Sequence, residues 1–172
     1  MNSKQYMINW IKENTKDCNS VLELGCRYGD RLKIIHNDAL KFGIEIHKPF
    51  LDASPYDFTK LHGDILDFDQ IILDSMDCVM LIDVIEHLNK DDGIELIKRL
   101  QAYGMSKILI QTPNGQYEQG PEPGNKYNAH RSTWINDDLD QLGFKTNVVS
   151  NFFPPSGGNT RNCLFAIWSK DE

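Results

Sequence analysis

The ten residues Val21 to Asp30, Val-Leu-Glu-Leu-Gly-Cys-Arg-Tyr-Gly-Asp, constrain this chain more than any other stretch. Val21, Leu22 and Leu24 surround a single acid, the pattern of a short strand buried in a parallel sheet. A turn punctuated by Gly25 and Gly29 follows, and then an apolar-periodic segment. Glycine serves where the backbone must take a positive φ or let a ligand come close, so the unit reads as strand, cradling loop and helix start. A dinucleotide fingerprint would need a glycine where Arg27 stands, and the loop reads instead as E-x-G-x-x-x-G.

The rest of the chain supplies a sheet around this unit. Tyr6, Met7, Trp10 and Ile11 recur at helical spacing and predict an amphipathic helix from Ser3 to Lys16, with Trp10 in the core. A helix is expected after Asp30, capped by that aspartate and carrying Leu32, Ile35 and Leu40. Lys41 to Ile46 reads as a second strand. Glu45 near its end lies 20 residues after Gly25, the spacing at which one carboxylate can accept hydrogen bonds from both hydroxyls of a ribose. Phe58 to His62 is a third strand leading to His62-Gly63-Asp64-Ile65, where Asp64 can also cap the next segment. Met76 to Ile82 is a nearly unbroken apolar run, as for a central strand covered on both faces, and it passes into Asp83-Val84-Ile85-Glu86-His87-Leu88.

Asp91 to Tyr103 predicts a helix with Ile94, Leu96, Ile97 and Leu100 toward the sheet, and Ser106 to Gln111 a fifth strand ending in Thr112-Pro113-Asn114-Gly115. Residues 116–133 lack apolar periodicity and hold Gly120, Pro121, Pro123 and Gly124, which reads as a lid, a binding loop or disorder. A short helix capped by Asn136 or Asp137 should run through Leu142 and stop at Gly143. Lys145 to Phe152 and Cys163 to Ser169 are then two strands joined through Pro154 to Gly158. That link is too short for a helical crossover, so the pair should be antiparallel.

With 172 residues the chain is expected to form one domain over 1–172. A formal charge of −7 argues against a general nucleic-acid surface, which rests on Lys and Arg neutralising phosphates. No run approaches the roughly 18 apolar residues of a membrane span and the N-terminus lacks a signal-peptide core, so the expectation is a cytoplasmic protein without membrane insertion. Cys18, Cys26, Cys78 and Cys163 have no C-x-x-C spacing and read as buried or idle thiols.

Taken together, these phrases resemble class I S-adenosylmethionine (SAM) dependent methyltransferases. Glu23 to Gly29 is similar to their motif I, usually [D/E]-x-G-x-G-x-G, with Arg27 departing from the middle glycine. Gly43-Ile44-Glu45-Ile46 is similar to motif II, Asp77 to Leu88 to motif IV, and Thr112 to Gly115 to the T-P-N-G after the fifth strand. The resemblance covers nearly the whole chain. It implies a single-domain Rossmann-like α/β fold with a seven-stranded, mostly parallel sheet closed by an antiparallel hairpin.

The resemblance also implies SAM as cofactor, with S-adenosyl-L-homocysteine (SAH) as product. The expected cofactor-binding residues are Glu23, Gly25, Cys26, Gly29, Glu45, Ile46, Asp64, Ile65 and Asp83.

For the chemistry, His130 is the expected proton acceptor with Asp83 as its competitor, and Arg131 could hold an anionic group. His130-Arg131-Ser132-Thr133-Trp134 resembles an H-x-S-x-W segment of bacterial methyltransferases, some acting on cell-surface glycans or their precursors. Oxygen of a small, sugar-linked acceptor is therefore the expected target, while His130 and Trp134 as mere loop anchors stay open. A non-catalytic SAM- or SAH-binding domain is a second reading, motivated by Arg27. A third is a metal-assisted RNA 2′-O-methyltransferase, in which Asp83, Glu86 and His87 converge from one helical turn as in some small-RNA and ubiquinone-pathway methyltransferases.

Overall fold

A computed structural model describes residues 3–70, 76–152 and 161–170. Its strands are β1 (Ser20–Leu24), β2 (Leu40–Glu45), β3 (Thr59–His62), β4 (Cys78–Ile82), β5 (Lys107–Pro113), β6 (Lys145–Phe152) and β7 (Arg161–Ser169). They form one sheet in the order β3-β2-β1-β4-β5-β7-β6. The first five strands run parallel, and β7 lies antiparallel to both β5 and β6, as the short β6–β7 link requires. The segment Pro154 to Gly158 lies outside the described residues.

Both faces of the sheet are covered, which is why β4 is apolar throughout and β1 at Val21, Leu22 and Leu24. All five residues of each are buried. Side chains alternate across the sheet: Val79 and Leu81 join Leu22, Leu24, Ile108 and Ile110 on one face, while Cys78, Met80 and Ile82 join Val21 and Leu109 on the other. Helix α1 (Ser3–Thr15) lays Met7 and Ile11 on the second face, where Trp10 packs edge-on against Phe165. A short α2 (Lys48–Asp52) follows β2. On the first face α3 (Lys90–Ala102) buries Leu96, Ile97 and Leu100, with Ile94 partly covered, and α4 (Asn136–Asp140) buries Leu139. The four cysteines are buried free thiols. Among the described residues no helix is long and apolar enough to cross a membrane.

Two local expectations need correction. No α-helix follows Asp30: the segment makes one 3-10 turn, Leu32–Ile34, and Leu40 begins β2 largely exposed. Asn37 and Asp38 form a turn instead, because their side chains compete for backbone groups and disfavour helix continuation. Asp30 does not cap; position 31 precedes the turn and makes no side-chain cap bond. The cap of α4 is likewise neither Asn136 nor Asp137. Asp138 reaches back from inside the helix, its Oδ2 accepting from the Ile135 N–H at 2.9 Å.

Candidate active site

Parallel α/β sheets offer a crevice beyond the carboxyl ends of their strands where the chain order reverses, here between β1 and β4. A cavity of about 670 Å³ opens at that place. Its walls come from the β1 and β2 ends, the β4 end, α1 and the 116–133 loop. That volume lies within the range that takes a cofactor-sized ligand.

On the glycine-loop side the backbone of Gly25 has φ 70°, and a Cβ there would sit 2.8 Å from Val84 Cγ2, so the loop passes hard against the β4 turn. Arg27 also takes a left-handed φ of 53°. Its N–H donates to Glu45 Oε2 at 2.9 Å, and its guanidinium stacks over Phe50 at 5.0 Å, both residues bordering the cavity. Glu45 Oε1 accepts from the His47 N–H at 2.8 Å, so the carboxylate is aimed by backbone on both sides, and each oxygen keeps a further lone pair. Ile46, Asp64 and Ile65 continue this wall, and Asp64 Oδ1 also accepts from the Leu66 N–H at 3.0 Å. The capping and cavity-lining readings of Asp64 thus hold together.

Three of the expected binding residues do not line the cavity. Cys26 is fully buried with its sulfur against Gly43, and burial pushes its thiol pKa up. Gly29 faces the Phe58 ring, which leaves no room for a side chain. Glu23 is wholly buried behind the loop. All three shape the wall from outside.

The β4 end is built differently. Asp83 takes φ 53° and stands off the 3-10 turn Ile85–His87, so the helical convergence of Asp83, Glu86 and His87 does not form. Its Oδ1 accepts from Arg161 Nη2 at 2.5 Å and from Gln111 Nε2 at 3.2 Å, and its Oδ2 lies 3.4 Å from Arg31 Nη2. Both Asp83 oxygens are thus engaged by arginines, and the residue borders the cavity. His130 takes its place in the cluster: one ligand atom each from Glu86, His87 and His130 lies within 4.8 Å of the others.

Both imidazoles are fixed the same way. His87 Nδ1 lies 3.1 Å from the Ala129 carbonyl and His130 Nδ1 2.6 Å from the Tyr117 carbonyl. A carbonyl only accepts, so each Nδ1 carries the proton and each Nε2 presents a lone pair. Burial lowers both pKa values from the ordinary histidine range, which favours the neutral rings. Glu86 is buried, its Oε2 accepting from Thr112 Oγ1 at 2.9 Å while Oε1 has no partner among the described residues, and burial pushes its pKa up to about 8.

The 116–133 loop is tied onto this turn. The N–H groups of Arg131 and Ser132 both donate to the Glu86 carbonyl, at 2.8 and 3.1 Å, and Trp134 Nε1 donates to the Ile85 carbonyl at 3.2 Å. Ser132 Oγ and Trp134 Nε1 both reach the Ile85 carbonyl and anchor the loop there, while His130 borders the cavity. Gln119, Asn125, Tyr127 and Asn128 complete the roof. Sequence reasoning missed Arg31 and Arg161, which meet Asp83 across 52 and 78 residues; no local pattern announces such pairs.

No family model and no curated protein sequence matches the chain. Solved structures do. The small RNA methyltransferase HEN1 superposes with a TM-score of 0.65 at 20% identity over 99% of this chain, which spans 25% of that one. The methyltransferase domain of bacterial CtHen1-C gives 0.69 at 14% identity, covering 98% of both chains. The N-terminal domain of EvdMO1 with SAH bound gives 0.70 at 14%, covering 95% of this chain and 79% of that one. The fold is that of class I SAM-dependent methyltransferases. Within this methyltransferase fold, the strand ends of β1, β2 and β4 frame the cavity described above.

Proposed function

We propose that this chain is a SAM-dependent methyltransferase acting on a hydroxyl oxygen of a small acceptor, such as a sugar-linked or surface-glycan precursor. The observation that carries the reading is that one cavity joins Glu45 and Asp64 to His87 and His130. Bound SAM supplies a methyl group already activated by its sulfonium, so the protein's task is mainly placement. Glu45 holds the ribose through its remaining lone pairs, Asp64 and Ile65 hold the adenine, and Gly25 lets the backbone approach. His130 Nε2 takes the proton of the attacking hydroxyl. The amide and phenol groups of Gln119, Asn125, Tyr127 and Asn128 offer hydrogen bonds to a polyhydroxylated acceptor, and Arg131 a cation for an acidic substituent.

Calorimetric titration with SAM and SAH tests the first half. The intact protein should bind both, and Glu45→Ala should weaken SAH about tenfold or more, since it removes a charged acceptor. Absence of binding by folded protein would sink the reading. SAH release with a panel of hydroxyl acceptors tests the second half. Binding without turnover on any acceptor would assign the domain to SAM or SAH sensing.

The Glu86, His87 and His130 cluster favours a second reading. Two imidazole nitrogens and a carboxylate oxygen suit a first-row transition ion better than Mg²⁺, and the backbone carbonyls on both Nδ1 atoms are the outer partners such ligands use. A bound ion would act as a Lewis acid on the acceptor hydroxyl, and His130 Nε2 would be its ligand instead of the base. An RNA ribose is the acceptor of that reading, and the −7 charge weighs against it. Turnover that persists after chelation would leave the base role standing; turnover lost on chelation and restored by Mn²⁺ would select the metal.

A further inference from the structure

A second cavity, of about 350 Å³, opens one step along the same edge of the sheet, where β5 ends, β7 begins and β6 ends. It is small but inside the range of ligand sites. Its polar lining consists of the side-chain amides of Asn114, Gln116, Asn151 and Asn162, together with the Tyr117 phenol and Arg161. Among the described residues that line it there is no carboxylate and no lysine. The one cation is already neutralised, since Arg161 Nη2 is paired with Asp83 Oδ1 at 2.5 Å. Backbone fixes the wall. The Asn114 N–H donates to the Asn162 carbonyl and the Gly115 N–H to the Trp134 carbonyl, both at 2.8 Å. The β6–β7 register shifts between Val149 and Phe152, and Asn151 there takes a left-handed φ of 54°. A bulge of this kind re-aims a side chain, and asparagine is among the residues that tolerate such backbone. Asn114 Oδ1 is buried without a hydrogen-bond partner among the described residues, so the wall holds an unused acceptor.

We propose that this second cavity is a glycan subsite, which takes the uncharged sugar next to the one whose hydroxyl is methylated, so that the acceptor is an oligosaccharide of two units or more. The proposal rests on the reading of the first cavity as a methyl-transfer site for a sugar hydroxyl and adds the size and charge of the acceptor. Each amide both donates and accepts, as each sugar hydroxyl does, so neighbouring hydroxyls match its N–H and C=O groups together. A phosphate would ask for positive charge in excess, and the Arg161 charge is spent on Asp83. The two cavities share a partition. Arg161 borders both, and the Tyr117 carbonyl lies 2.6 Å from His130 Nδ1. The Tyr117 ring lies 5.7 Å from the imidazole and 4.8 Å from the Arg161 guanidinium. A sugar seated in the second cavity is therefore one side chain away from the imidazole that meets the reacting hydroxyl.

Initial rates of SAH release test this, comparing the methyl glycosides of glucose, galactose, mannose and rhamnose with disaccharides that carry the same sugars at either end. The best disaccharide should exceed its monosaccharide about tenfold or more in kcat/KM, chiefly through KM, from two or more neutral hydrogen bonds. Asn151→Gly, which keeps the left-handed backbone, combined with Asn162→Ala should bring that ratio within about twofold. Gln116→Ala, at an exposed position, stands in if the double variant does not fold and should lower the ratio about threefold. Disaccharides no better than monosaccharides, or an advantage that survives in the variants, would overturn the proposal while leaving the methyl-transfer reading intact. Protein that binds SAH and methylates an RNA ribose or nothing, with no saccharide turned over, would overturn the proposal together with the sugar reading. Folded protein that binds no SAH would overturn the SAM reading beneath both.

Discussion

On the glycine-loop side of the cavity the groups are set by backbone and by neighbours on adjacent strands. Glu45 is aimed by the N–H groups of Arg27 and His47, Gly25 by close packing on Val84, and Gly29 by the ring of Phe58. On the lid side, Glu86 and His87 from one turn meet Thr112, His130 and Arg161 from three other segments, and the bonds between them run from side chains or to carbonyls of a loop. The first side is a shape that many sequences with the right short phrase would make. The second is an assembly in which each member depends on the placement of the others, and chemistry specific to one acceptor belongs there. Mutations on the two sides should therefore fail differently.

The largest expected effect separates them most cleanly. His130→Ala removes a neutral imidazole that borders the cavity without lying in the core. Turnover should fall by about 100- to 10,000-fold, the usual worth of a positioned base, with SAH affinity changed by less than about twofold. Measuring both on the same preparation decides the matter. A matching loss of SAH affinity would make His130 part of the donor wall and blur the division between the sides.

Next come two stability variants. Gly29→Ala puts a Cβ into the Phe58 ring at a φ of 80°, so strain and overlap add, and about 3 kcal/mol or more should be lost. Trp134→Phe keeps the lid's apolar anchor but deletes the donor to the Ile85 carbonyl and Ser132 Oγ, for about 1–2 kcal/mol. In thermal melts the first should drop Tm by roughly 6–12 °C and the second by roughly 2–8 °C. Equal shifts would mean that the lid is as integral to the fold as the glycine loop.

The same division governs how much was legible in the sequence. The strands, their parallel run and the closing antiparallel pair follow from apolar runs and link lengths, and the glycine loop with Glu45 follows from spacing, because those features are local or periodic. The helix after Asp30 was misread, since Leu32, Ile35 and Leu40 fit a helical stripe while Asn37 and Asp38 already closed the turn. The alternative of an Asp83, Glu86 and His87 cluster presumes helical backbone, whereas Asp83 takes a φ of 53° and pairs with Arg161. His130 was flagged by its residue type. Its meeting with Glu86 and His87 is a tertiary fact across more than 40 residues of chain, and Arg31 carried no pattern of its own.

The smallest effect probes the junction of the two sides. Glu23 lies fully buried behind the loop, and desolvation raises its pKa from the ordinary 4.5 to about 8 in spite of Arg31. In the unfolded chain the same carboxyl ionises near its ordinary value. Between those two pH values the folded state holds a proton that the unfolded state has released, so stability falls as pH climbs through that window and levels off above about 8. Glu23→Gln removes the titration and keeps the shape. Its Tm should be close to that of the intact protein near pH 5 and exceed it by a margin that widens with pH up to about 8. A variant less stable at both pH values would show that Glu23 is ionised and paired to Arg31 in the fold. That corner would then be electrically balanced before any ligand arrived, and the contrast between a backbone-built side and a charge-built side would have to be drawn one residue deeper, at Asp83.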